Sequence, residues 1–497
     1  MLPIMMLPIH LLLLKQVPAG TPLHVRLTTA VGSYESKPGM AVRAVLIAPV
    51  VTGDDTLIPA GSTLTGEVTH VNRVGLGIRH ETASLALDFS KVTMPDGASM
   101  SICTRLRQVD NGREHVARDG NILGVRTTNS ISYRATGYIR TLLSWEIHAR
   151  IASLAIRMLF VQVPEPEIYY PSGSELTLSL TEPMWAGVQP EAIDTAALTW
   201  EERGDLAKII ENVPDRTYSP GSKRPADLVN MMFIGSRDQV SDAFKAAGWT
   251  ESKAPSLRTR IKGIRAVAEF SGYMGAPMTT LLVNDAEPDL YWEKGLNDFA
   301  KRDHIRMWKQ PETWNGQEVW IGAATRDVDY AYLRPGHMFT HQIEQNVDRE
   351  RDKIAHDLEF TTCTDAVNYW ERPGFPRTTH NATGDPMVSD ARLAVVRLNG
   401  CGPARPSSDA NDPNAPQLRA HGGKWQRFAR REVLSVRDDF YRRNIIWRSY
   451  EGAKWTVAFI RNKRKPTNAP QADFDQSEAV ASTNSAFSKI RDSSWVR

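Results

Sequence analysis

Residues 227–249 read DLVNMMFIGSRDQVSDAFKAAGW, and their local chemistry decides how the second half of the chain folds. The continuous apolar run through Met231 to Ile234 has the composition of a strand buried on both faces. Ser236 follows, with Gln239 three residues on, the spacing of a capping box that opens a helix. Val240, Ala243, Phe244 and Ala247 then recur at helical spacing as an inner stripe, and Gly248 suits the residue after the last turn. Strand, cap, helix and glycine stop agree on one βα unit. This role also accounts for Ser236, whose setting superficially suggests a nucleophile.

Further motifs follow in order. RDHIRMW spans Arg302–Trp308, and VWIGAATRD spans Val319–Asp327. THQIEQNVDRERDKIAHDL spans Thr340–Leu358. On a strand, His304 and Arg306 share one face, because successive side chains alternate. Arg326 and Asp327 are expected just past the next strand, at the start of a loop. NVDRERDKIAHDL reads as a helix whose stripe is Val347, Arg351, Ile354 and Leu358. Arg351 therefore lies on the apolar side, flanked by Asp348 and Asp352.

From Asp227 to Leu358 this order of motifs resembles the LssY-like C-terminal domain family, a bacterial module associated with secretion. The resemblance implies a fold neighbourhood and brings no known reaction. One family feature, a Phe-Gly turn followed by an Arg-Gln-Asp stretch, is replaced here by PDLYWEKGLNDFAKR at 288–302. Asp298, Phe299 and Ala300 are kept, but the Gly-Arg element is not.

The chemistry-bearing residues of this region admit two readings. Arg351 between two carboxylates can be a structural ion-pair hub. Alternatively, His304, Asp327, His341 and Asp348 converge as a catalytic cluster, with Arg306, Arg326 and Arg351 binding an anionic ligand. Two imidazoles with two carboxylates suit a divalent metal or acid–base attack on a phosphoester. No H-E-x-x-H spacing, phosphate-binding GxxxxGK[ST] loop, G-x-G-x-x-G turn after a strand or G-x-S-x-G elbow is present.

Upstream, about residues 17–184 read as short alternating strands separated by turn signals, the pattern of a small β-sandwich or barrel. LIPAGSTLTGEV, LALDFSKVTMPDG and PEIYYPSGSELTLSL appear in that order. They resemble the β-domain of conjugation and type IV secretion channel scaffold proteins of the VirB/TrbI kind. IPAGS at 58–62 and YPSGS at 170–174 share a Pro-small-Gly-Ser turn leading into a strand. Residues 133–160 differ, with apolar residues at mixed helical spacing among Arg140, Glu146, Arg150 and Arg157. They read as an amphipathic helical insert, since those charges are costly in hydrocarbon.

The chain has 497 residues and a net charge of +3. That length implies several domains, and that charge lacks the signature of a nucleic-acid-binding protein, so nucleic acid is not an expected partner. Residues 417–465 stand apart, with 14 Lys or Arg against four Asp or Glu. Their Trp, Phe and Tyr residues make anionic lipid headgroups a candidate partner. Cys103, Cys363 and Cys401 form no CxxC motif, and one bridge among them is left open. No internal window reaches the ~18 apolar residues of a membrane span. The apolar start, MLPIMMLPIHLLLL, reads as an export signal, with a first strand or a membrane-skimming segment as alternatives.

The expected fold class is α+β and multidomain. A small β-sandwich or barrel with a helical insert (17–184) is followed by a linker (185–220). An α/β LssY-like domain with a mixed sheet (221–372), a loop-rich segment (373–416), the basic aromatic segment (417–465) and a disordered tail (466–497) complete it. Residues 1–16 form the apolar amino-terminal segment. The expected role is a non-enzymatic structural or binding component of a secretion-associated assembly in the bacterial cell envelope, exported or periplasmic, with envelope proteins as partners. The alternative is a hydrolase, a metal-dependent phosphoesterase on the His/Asp cluster, and a divalent metal is expected only in that case.

Overall fold

Alternation builds the amino-terminal body. In PLHVRL (Pro22–Leu27) Leu23, Val25 and Leu27 are buried, while Pro22 and His24 are exposed and Arg26 is half-buried. The computed structural model describes residues 14–443 apart from 54, 77–80, 128–129, 131–163, 189–199, 253–256, 334–337 and 402–422. It also describes 446, 449–450, 452–453 and 456–457. The helix expected over 133–160, the apolar start through residue 13 and the tail beyond 466 lie outside the described residues.

Leu23 and its neighbours belong to a nine-stranded sheet. Its path runs Thr104–Val109, Glu175–Leu180, Pro22–Leu27, Ala41–Leu46, Thr63–Asn72, Ser84–Thr93, Ile122–Leu123, His115–Val116, with Ser99–Ser101 beside Ser84–Thr93. The sheet curls toward closure, where Thr104 Oγ1 donates to Phe89 O at 2.9 Å. A bulge at Gly66 assists the curl, since a Cβ there would collide with Asp88 O. The core inside is aliphatic, with Leu23, Val25, Val42, Leu64, Phe89, Leu106, Leu176 and Leu178 all buried. Both Pro-small-Gly-Ser turns form as read. Gly61 and Gly173 have positive φ, and the Ser62 and Ser174 hydroxyls donate back to Pro59 O and Pro171 O. At the amino end, Leu14–Val17 is a strand paired with Met184–Gly187.

The second body is an eight-stranded mixed sheet. Its order is Thr250–Glu251, Leu290–Gly295, Arg302–Trp314, Gln317–Leu333, Met231–Ile234, Arg392–Leu398, Thr364–Glu371, with Met338–Ile343 also on Gln317–Leu333. Met231–Ile234 pairs parallel with Arg392–Leu398 and antiparallel with Gln317–Leu333. All four of its side chains are buried because both faces are covered. Met231 and Phe233 meet Phe244, Trp292, Ile354 and Leu358 under the helices Arg237–Ala246 and Asp348–Phe360. Met232 and Ile234 meet Leu206, Ile210, Trp308 and Leu393 on the side of the helix Trp200–Glu211. The Ser236–Gln239 capping box is present in both directions.

The chain is thus an α+β multidomain protein. Two expectations need correction. Arg326 and Asp327 do not open a loop, because the strand continues from Gln317 to Leu333. The segment expected to be loop-rich, 373–416, contains Arg392–Leu398, which sits inside the sheet beside Met231–Ile234. A disulfide joins Cys363 to Cys401, flanking the paired strands Thr364–Glu371 and Arg392–Leu398.

Candidate functional site

Alternation along Arg302–Trp314 sorts its polar residues into two clusters on opposite faces of the sheet. Arg302, His304 and Arg306 point one way and Asp303 the other, all four buried. On the next strand Asp327 pairs with Arg302, and Arg326 with Asp303.

The first cluster centres on one carboxylate oxygen. Asp327 Oδ2 accepts Arg302 Nε at 2.9 Å and lies 3.7 Å from His304 Nδ1 and 3.5 Å from His341 Nδ1. Arg302 also donates to Glu293 Oε2 at 2.9 Å. His304 Nε2 meets Thr325 Oγ1 at 2.9 Å. Burial keeps His304 neutral, lowering its pKa to about 3 against the opposing pull of Asp327. Burial also works against the charge of Asp327, but the imidazoles and the Arg302 guanidinium outweigh it and hold that carboxyl down at about 2. Burial lowers His341 as well.

Phe299 connects this cluster to the surface. Its ring meets His341 edge-on at 5.2 Å, and the Arg302 guanidinium stacks over it at 5.4 Å. On the outer side Tyr273, Met274, Glu293, Asp298, Phe299 and Arg302 line a small cleft with room for about one water.

Of the residues proposed from sequence, His304, Asp327 and His341 come together. Asp348 does not join them. It pairs with Arg351 at 3.1 Å and accepts hydrogen bonds from Ser389 Oγ and the Asp390 amide. Arg351 is fully buried and spends its fork on Asp390, Asp348, Asp352 and Arg392 O. It ties the Asp348–Phe360 helix to the start of the Arg392–Leu398 strand, which is the hub reading. Arg306 is held by Asp227 at 3.0 Å and donates to Thr279 O. Among the described residues, no group of three His, Cys, Asp or Glu side chains is arranged to hold a metal ion.

Arg326 faces the other cluster, which lies between the two bodies. Glu175 of the first sheet meets Arg26 at 2.8 Å and Lys353 at 3.0 Å, and it also binds Lys294. Asp357 binds Arg26 at 3.0 Å and Lys294 at 2.7 Å, and accepts Trp249 Nε1. Asp303 takes Asn111 Nδ2 at 2.8 Å, Lys353 and, at 3.4 Å, Arg326. Arg326 reaches Asp110 at 3.9 Å. Four cations thus face the four carboxylates Asp110, Glu175, Asp303 and Asp357. Burial opposes ionisation of Glu175, and the three cations around it win, holding it well below the usual range. Glu350 is buried beside Asp303 and is pushed well above its ordinary value, first by burial and then by that neighbour. With Glu350 pushed toward its neutral form, the four cations and four carboxylates match in number.

Sequence reasoning missed Arg302, Glu293 and every member of this interface except Arg326, which it read as a ligand-binding residue. Arg302 was accessible to the same alternation that placed His304 and Arg306. Glu175, Arg26 and Lys294 carried no local signal, because their partners lie 63 to 331 residues away in the chain.

Residues 210–393 match the LssY C-terminus family. The matched region takes in the His304–Asp327–His341 cluster, the Arg351 hub and the 348–360 helix of the interface. It ends two residues into the Arg392–Leu398 strand. No curated protein matches the chain. Among solved structures, ComB10 of the Com type IV secretion system of Helicobacter pylori is similar at 14% identity. That likeness covers 36% of this chain and 93% of that one with a TM-score of 0.21, too loose to carry an argument.

Proposed function

We propose that this chain is a non-enzymatic binding component of a secretion-associated assembly in the bacterial cell envelope, acting on the exported side. The observation that carries this reading is the balanced ionic interface, which fastens the LssY C-terminal region to the β-body. Parting the two bodies would strip these buried charges of their partners, which is costly, so the joint resists separation as a rigid scaffold requires. The groups that chemistry would use support it too: Asp327 is engaged by Arg302, and Arg351 and Arg306 are spent on internal carboxylates. The Cys363–Cys401 disulfide suits an oxidising compartment. Neighbouring envelope proteins are the proposed partners, with anionic headgroups at the basic carboxyl-terminal segment. No helix among the described residues is long and apolar enough to cross a membrane.

The approach of His304 and His341 to Asp327 favours one second reading, a metal-dependent phosphoesterase opening on the Phe299 cleft. In it His304, Asp327 and His341 carry the chemistry, and Asp348 has no part. Two measurements separate the readings. Envelope fractionation with crosslinking should recover the chain in complex with envelope proteins. Hydrolysis of p-nitrophenyl phosphate in magnesium, manganese or zinc should not exceed that of Asp327→Asn. Turnover that this substitution abolishes would sink the scaffold reading.

A further inference from the structure

The helix Leu257–Glu269 buries its small residues and exposes its large ones. Thr259, Gly263 and Ala266 face inward and are buried. Close packing there brings the helix onto Phe299, whose ring a Cβ at Gly263 would meet at 3.5 Å. The large apolar residues point the other way, Ile261 being 57% exposed and Ile264 70%. Arg258 and Lys262 are exposed beside them, and the Arg265 side chain is 44% exposed. Steps of three and four link Arg258 to Ile261 and Lys262, and Ile261 to Ile264 and Arg265. The five side chains therefore form one continuous arc. The helix carries four basic residues against one acid, Glu269, which accepts Arg265 Nε at 2.6 Å. Arg258 and Lys262 make no ion pair among the described residues.

A surface helix ordinarily buries its large apolar residues and shows water its polar ones, so an exposed isoleucine pair flanked by cations marks a docking site. We infer that this arc docks on an anionic bilayer surface, with Ile261 and Ile264 entering the boundary of the acyl chains while Arg258, Lys262 and Arg265 hold headgroups. The chemistry of the arc selects that occupant. Long cationic stems beside an apolar crest match the layering of charged headgroups over acyl chains, and each cation near an anionic leaflet adds to binding. A second copy would set Arg258 and Lys262 against their own like charges. An acidic protein would have to place carboxylates opposite fixed positions, where a bilayer supplies charge along the whole arc. The site lies within the LssY region, apart from the basic carboxyl-terminal segment, and it rests on the envelope role proposed above.

The test is co-sedimentation of the full chain with vesicles of phosphatidylcholine and phosphatidylglycerol, and with phosphatidylcholine alone. Binding is expected to the anionic vesicles only. Arg258→Gln with Lys262→Gln should weaken it about thirtyfold, and Ile261→Ser with Ile264→Ser about tenfold. Melting curves should not change, because all four side chains are exposed. A polarity-sensitive fluorophore on Ile264→Cys, in a Cys103→Ser background, should brighten on the anionic vesicles and so place the helix itself at the lipid. No binding by the parent chain overturns the inference, as does binding that either double variant keeps, equal binding to neutral vesicles, or a fluorophore that stays dark. Retention of poly-glutamate through Arg258 and Lys262 without vesicle binding also overturns it and assigns the arc to an acidic protein. Envelope recovery by crosslinking is measured separately, so a chain that stays with its assembly but ignores vesicles defeats this inference alone.

Discussion

Arg26 in the first sheet and Asp357 in the helix over the second sheet lie 331 residues apart in sequence, and their side chains meet at 3.0 Å. Asp357 in turn holds Lys294, and Glu175 binds both Arg26 and Lys294. The two bodies are joined by buried charge rather than by one continuous apolar core. Such a joint is sensitive to the loss of any one member, because the remaining partner is left charged and dry.

Glu175→Ala removes the carboxylate that Arg26, Lys294 and Lys353 share. It should destabilise the fold by about 3–5 kcal/mol, measured by urea unfolding. A second transition should appear as the bodies uncouple, with new proteolytic cleavage between them. Because Glu175 and Asp303 sit below their ordinary values in the fold, their contribution is present above the ordinary carboxylate range. It is lost as the pH falls through the lowered values.

Glu359 has the opposite sign. Burial alone raises its carboxyl to about 7, so the native state holds a proton that the unfolded chain releases above its ordinary 4.5. Stability from this group is complete below that value and is lost as pH rises towards 7. Glu359→Gln should therefore stabilise the protein by about 1–2 kcal/mol at pH 8, discounted for its partial exposure. It should change little at pH 4, as two melting series at those pH values would show.

His304 should stay neutral across the whole range in which a free imidazole titrates, since burial lowers it to about 3. Its stabilising contribution is complete above the ordinary 6.5 and is lost as pH falls below that value towards about 3. Its ring resonances followed by NMR should be flat from pH 8 to 5. A titration centred near 6.5 would mean that water reaches the cluster.

Asp327→Asn leaves Arg302 with Glu293 as its remaining acidic partner in that cluster. A loss of about 3–5 kcal/mol is expected by denaturant unfolding. A fully stable variant would mean that Arg302 turns outward into the Phe299 cleft, and that the cleft is more open than its packing implies.

Reduction of Cys363–Cys401, or Cys401→Ser, should cost about 2–4 kcal/mol through release of a 38-residue separation. Alkylation of the oxidised protein should label the exposed Cys103 alone.

The sequence by itself determined what short-range chemistry can specify. The Ser236 cap, the inner stripe through Phe244, the twin Pro-small-Gly-Ser turns and the shared face of His304 and Arg306 depend on neighbours within a few residues. The hub role of Arg351 was legible as one of two readings, because a guanidinium on an apolar stripe must find carboxylates. Only the tertiary structure decided the rest. RLAVVRL lay among Pro and Gly signals and read as loop, yet it is an inner strand because Met231–Ile234 offers it a free edge 160 residues earlier in the chain. Asp348 looked like a partner of His304 by residue type, but helix geometry delivers it to Arg351 and Asp390 instead. The interface of Arg26, Glu175, Lys294, Asp303, Lys353 and Asp357 leaves no trace in any one segment. Charges that look solvated along the chain become buried partners only when two separately folded bodies close on each other and exclude the water between them.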